Sequence, residues 1–127
     1  MAEASTSALV LFAHGARDSQ WAEPFRALQI AVSARRPDLT VELAFLEIMG
    51  PALGDCVTRL ASAGHQRIVI APLFLAQGGH LKKDLPHLLK DLGARYPRAN
   101  ISVLPPIGEV TELLNAIADW LVDNAPR

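Results

Sequence analysis

The sequence predicts an α/β fold: a single domain over residues 1–127, built as three α/β/α layers around a four-stranded parallel sheet. The expected strand order is the flavodoxin-like 2-1-3-4. Three observations predict it. Short, continuous apolar runs of the kind buried on both faces of a parallel sheet recur along the chain. Segments with helical spacing separate them, and right-handed crossovers leave few topologies for such an alternation. The connections are of ordinary length and carry Pro and Gly, with no repeat and no low-complexity tract.

The elements follow in order. Residues 8–13, containing Leu9-Val10-Leu11-Phe12-Ala13, form the first strand. Over residues 20–35, Trp21, Phe25, Leu28 and Val32 fall at steps of three and four, which predicts a helix with one apolar face. Pro37 and Asp38 end it. Residues 40–46 read as the second strand. Pro51 opens a helix over about 51–63, and Gly64 closes it. Residues 67–73, rich in β-branched side chains, are the third strand. Residues 75–83 have no apolar period and carry Gly78 and Gly79 side by side, so they read as loop. Asp84 then serves as N-cap of a helix that tolerates Pro86 in its first turn and runs to about 95. The fourth strand spans about 100–104. After Pro105-Pro106 the last helix begins near Gly108 or Glu109 and reaches about 123, with Leu113, Leu114 and Ile117 turned mostly to the core by their spacing.

Composition narrows the function. Half the residues are apolar, enough for one core. Lys plus Arg number 12 against 13 Asp plus Glu, a net charge of −1. That balance argues against a nucleic-acid binder, which needs a basic excess. Arg17, Lys82 and Lys83 nevertheless form a local basic group suited to an acidic small molecule. No apolar run approaches the roughly 18 residues of a membrane helix, and Met1 to Ser7 lacks a basic leader. A soluble, cytoplasmic protein is expected. The single cysteine, Cys56, has no intrachain partner and reads as a core filler.

The chemistry sits at strand ends. His14 directly follows the first strand, Glu47 follows the second, and His80 lies in the loop after the third. In a 2-1-3-4 sheet these ends share the carboxyl edge beside the switch point, where such folds bind ligands. Two imidazoles and a carboxylate suit a divalent transition metal that keeps open coordination positions. Taken singly, His14 could be a turn residue, Glu47 an exposed strand-end carboxylate and His80 a solvated loop histidine; their shared edge favours the metal. Glu42 is the weaker acidic candidate, His87 reads as a partly buried structural histidine, and His65 lies at the opposite end. The segment His14-Gly15-Ala16-Arg17-Asp18 lacks the glycine spacing of a phosphate loop or dinucleotide fingerprint, so no nucleotide is expected. No Gly-x-Ser-x-Gly elbow is present.

Three motifs carry a family resemblance. Leu-Phe-Ala-His-Gly-Ala-Arg-Asp (11–18), Ala-Phe-Leu-Glu (44–47) and Pro-Leu-Phe-Leu-Ala-Gln-Gly-Gly-His-Leu-Lys-Lys-Asp-Leu-Pro (72–86) resemble the CbiX family of short class II chelatases. These enzymes are lyases that insert cobalt, or in relatives iron or nickel, into sirohydrochlorin-type tetrapyrroles. Ala16 stands where the family usually has serine, which removes a hydroxyl and keeps the imidazole. The resemblance implies a half-size chelatase domain that pairs as a homodimer, acting in cobalamin or siroheme synthesis. It places metal binding and catalysis on His14, His80 and Glu47.

That implied chemistry is physically coherent. The ion, Co2+ or alternatively Fe2+ or Ni2+, is a substrate that must be gripped and then released, and imidazoles hold it less tightly than thiolates would. A His or Glu can accept a pyrrole proton. Substrate contact is expected from Arg17, Lys82 and Lys83 to the macrocycle's carboxylates, from Met49 and Leu75 to its apolar faces, and from Gly78 and Gly79. The rival readings are a non-catalytic metal-binding or delivery protein on the same fold and a phosphate or nucleotide binder using the loop at 14–18.

Overall fold

The computed structural model describes residues 6–127. Strand β1 (Ser7–Ala13) leads through a 3-10 turn (Ser19–Ala22) into helix α1 (Glu23–Arg35). Strand β2 (Thr40–Phe45) is followed by α2 (Leu53–Ser62), and β3 (Arg67–Pro72) by α3 (Gly79–Arg95). Strand β4 (Asn100–Val103) passes through a second 3-10 turn (Ile107–Glu109) to α4 (Thr111–Asp123). The reading of a missing leader falls largely on residues 1–5, outside those described.

Every strand pairing is parallel and the order is β2-β1-β3-β4, the one expected. Register sets Ala13 beside Phe45 and Phe12 beside Pro72, so β1, β2 and β3 finish at one edge. The main core lies on one face, where α2 and α3 cover the sheet. Val10, Phe12, Ile68 and Ile70 meet Cys56, Val57 and Leu60 of α2 and Leu81, Leu85 and Leu92 of α3. Each such side chain contributes about 1.5–3 kcal/mol on leaving water. A smaller cluster on the other face joins Ala13, Ala22 and Phe45 under Trp21 and Phe25.

Helix α3 differs from the expectation. It begins at Gly79, after Gly78 in an extended conformation, so His80 is helical and Asp84 lies one turn inside instead of capping. Lys82 N–H donates to the Gly78 carbonyl at 3.1 Å. Pro86 stands in the helix interior, where its ring leaves one intrahelical bond unmade. Leu81 explains the early start: with Leu85 and Leu92 it extends the apolar stripe back toward the glycines. His87, expected to be partly buried, is exposed.

Helix α4 is the larger departure. Leu113, Leu114 and Ile117 are not core: every residue from 111 to 127 is exposed, with Ile117 at 42% and Trp120 at 65%. The helix packs chiefly on its own preceding 3-10 turn. Leu28 of α1, expected on a core face, is likewise exposed. Helical spacing reports an apolar face; it does not say that the same chain covers it.

Candidate functional site

The β1 and β2 ladders continue past the strand ends and bring two candidate residues together. Leu46 N–H donates to the Ala13 carbonyl at 2.9 Å, and Glu47 N–H donates to the His14 carbonyl at 3.1 Å. Gly15 has φ +95°, and a Cβ there would run into the Glu47 carbonyl. Glycine is therefore required twice over, by conformation and by the backbone that crosses it. The Glu47 carbonyl also accepts from Met49 N–H at 2.8 Å, closing a γ-turn whose central residue, Ile48, has φ 72°. This turn class is rare and strained, the more so with a β-branched residue at its centre. Its place directly after Glu47 marks the segment as one held in position by its surroundings.

His14 is exposed at the edge, and its ring lies on Phe74, with centroids 4.4 Å apart and planes inclined at 52°. Phe74 is itself buried and meets Phe12 edge-on at 5.2 Å. The imidazole thus packs against a fixed aromatic ring. His80 occupies the second position of α3, exposed, on the connection that leaves β3. Among the described residues, no three His, Cys, Asp or Glu side chains stand close enough together to hold one ion. The edge is shared, but the two imidazoles and the carboxylate do not form a preassembled cage.

The remaining expected residues surround this edge. Arg17, Lys82 and Lys83 are exposed and make no ion pair among the described residues. Met49 is half-buried beside Gly15 and Leu75 is exposed. Gly78 and Gly79 have open space where a side chain would stand. Glu42 is engaged elsewhere, with Arg59 at 3.4 Å. His65 is structural: its Nδ1 donates to the Leu60 carbonyl at 3.1 Å, which leaves Nε2, 3.2 Å from the Thr40 hydroxyl, to accept. Burial pushes the Cys56 thiol up to about 11, with Arg59 pulling the other way, so it remains a neutral core group.

Sequence reasoning missed three contributors. Phe74 looked like the tail of an apolar run, yet it supports His14. Gly108 donates its N–H to the Phe74 carbonyl at 3.1 Å and lies so near the Leu75 carbonyl that no Cβ would fit. Ile48 shows no sequence signal for its left-handed backbone. An apolar cavity of about 200 Å³ opens at this edge between α2 and α3, lined by Phe12, Phe45, Leu46, Leu53, Leu81 and Leu85, with Asp84 at its wall. A larger one of about 390 Å³, lined by His65, Tyr96 and Arg98, lies at the opposite end of the strands, away from all three candidates.

The chain is similar in sequence and in fold to known proteins. The chain is 33% identical over 100 residues to a sirohydrochlorin cobaltochelatase of Sulfolobus acidocaldarius, covering 79% of this chain and 77% of that one. It is 28% identical to a sirohydrochlorin cobaltochelatase of Sulfurisphaera tokodaii, covering 94% and 97%. Among solved structures, one named for a CbiX protein of cobalamin (vitamin B12) biosynthesis from Marinobacter aquaeolei VT8 superposes with a TM-score of 0.76 at 32% identity, over 92% of this chain and 95% of that one. The sirohydrochlorin chelatase SirB from Bacillus subtilis subspecies spizizenii, in complex with cobalt, superposes at 0.74 with 27% identity, over 94% of this chain and 51% of SirB. The CbiX family model matches residues 8–124, and the chain belongs to the CbiX family.

Proposed function

We propose that this chain is a metal chelatase that inserts a divalent ion, Co2+ foremost and Fe2+ or Ni2+ as alternatives, into a sirohydrochlorin-type tetrapyrrole in the cytoplasm, for cobalamin or siroheme synthesis. The observation that supports it most is the edge where the Glu47 backbone N–H donates to the His14 carbonyl and Phe74 supports the His14 ring, in a chain similar over most of its length to sirohydrochlorin cobaltochelatases. His14 and His80 take the metal as it sheds water, and Glu47 completes the set. All three are solvent-exposed, which suits a site that must pass its ion on. His14, His80 or Glu47 accepts the pyrrole protons displaced by the metal. Arg17, Lys82 and Lys83 pair with the macrocycle's carboxylates. Met49 and Leu75 meet its ring, and the side-chain-free backbone at Gly78 and Gly79 allows close approach.

The working unit is a homodimer. An α4 face carrying Leu113, Leu114, Ile117 and Trp120 in water is costly for a monomer, and a second copy supplies the cover. The chain's match to only half of SirB fits that count of domains. The test is multiple-turnover insertion of Co2+ into sirohydrochlorin, followed by absorbance. The reading predicts a rate well above the uncatalysed one; stoichiometric Co2+ binding with no acceleration would make the chain a delivery protein instead.

A further inference from the structure

The apolar cavity at the strand ends is bordered by neighbours of all three candidate ligands. Leu46 precedes Glu47, Leu81 follows His80, and Phe12 meets the Phe74 ring that supports His14. On this wall Asp84 is the one titratable side chain. It makes no hydrogen bond or ion pair among the described residues, and neither does the His80 side chain. The two are four residues apart within α3, the spacing that puts helical side chains on one face with Cβ atoms about 5–6 Å apart. Helical side chains lean toward the N-terminus, which puts the turn that carries His80 within reach of the Asp84 carboxylate.

We infer that Asp84 is a positioning residue: the two side chains are unpaired at rest, and when one His80 ring nitrogen takes the ion, the Asp84 carboxylate turns to accept a hydrogen bond from the other. An imidazole free to rotate on a helix end presents either nitrogen in many directions. A carboxylate partner selects one tautomer and one orientation and makes the other nitrogen a better donor to metal. The inference rests on the reading of His80 as a ligand for the substrate ion, and it adds a residue to that reading.

The experiment is a double-mutant cycle read by Co2+ binding to the full-length protein, with Asp84→Asn in the wild-type, His80→Ala and His87→Ala backgrounds. Asp84 is exposed, so the Asn variant should keep its fold, checked by circular dichroism. The expected result is a 10–100-fold loss of Co2+ affinity from Asp84→Asn in the wild-type background, the same loss in the His87→Ala background, and less than about two-fold in the His80→Ala background. Wild-type-like affinity in Asp84→Asn, or an equal loss with and without His80, would overturn the inference. If His80→Ala itself binds Co2+ normally, the assignment of His80 as a ligand fails first and takes Asp84 with it.

Discussion

Met49 N–H donates to the carbonyl of Glu47 at 2.8 Å, across a turn in which Ile48 holds φ at 72°. The same carbonyl lies over Gly15 so closely that a side chain there would not fit. The backbone of Glu47 is therefore fixed from two directions: by a strained turn after it and by the β1–β2 ladder before it. Its carboxylate stays exposed. A rigid backbone with a free carboxylate is the arrangement expected of a group that meets a transient ligand.

Gly15→Ala should be a damaging substitution at this edge. It forces a left-handed conformation on alanine and pushes the new methyl into the Glu47 carbonyl. The expected cost is about 1–3 kcal/mol of stability, with loss of Co2+ binding, read from denaturant midpoints and metal titration. Gly93→Ala is the contrast: it lies inside α3 with open space around it and should stabilise by about 0.5–1 kcal/mol.

Much of this architecture was legible in the sequence because parallel sheets write strongly. Ile68-Val69-Ile70 and Leu9 to Ala13 read as buried strands from their unbroken apolar character, and both are strands. His14 and Glu47 were placed at one edge by strand order, and backbone hydrogen bonds join them there. The start of α3 was not legible, because adjacent glycines mark a loop unless the apolar stripe that resumes at Leu81 is given more weight. The partner of α4 was not legible either, since Leu113 and Ile117 have the same spacing whether their cover comes from within or without. The positive φ of Ile48 is imposed by tertiary surroundings and leaves no local trace.

Phe74 couples the core to the site. Phe74→Ala removes a buried ring that touches both Phe12 and His14. It should cost about 3–5 kcal/mol. Phe74→Leu keeps most of the volume, should cost under about 1.5 kcal/mol, and should still weaken Co2+ binding by freeing the His14 ring. Thermal unfolding and metal titration of the two variants separate the structural effect from the positioning effect.

Burial raises the Cys56 thiol from its ordinary 9.0 to about 11, while nearby Arg59 lowers it by less. The unfolded thiol ionises first, so the stability tied to this group is complete below pH 9 and drains away as pH rises toward 11. Between about pH 8 and about pH 10.5 the wild-type protein should lose roughly 1–2 kcal/mol more than Cys56→Ala, measured by denaturant unfolding. The native thiol should also react slowly with thiol reagents near neutral pH and quickly once unfolded.

The apolar face of α4 should govern assembly. Ile117→Glu leaves the domain core untouched, since the helix has no buried residue. The substitution should weaken self-association by about 2 kcal/mol, or roughly 30-fold, in sedimentation equilibrium, with circular dichroism unchanged. A monomeric wild-type protein at micromolar concentration would remove the basis for a homodimer.

Single-turnover insertion of Co2+ into sirohydrochlorin by the His14→Ala/His80→Ala double variant bears most directly on the role of the strand edge. Both side chains are exposed, so the variant should fold normally while insertion falls to the uncatalysed rate. Insertion at the wild-type rate would contradict the account, because the metal would then be handled elsewhere on the molecule.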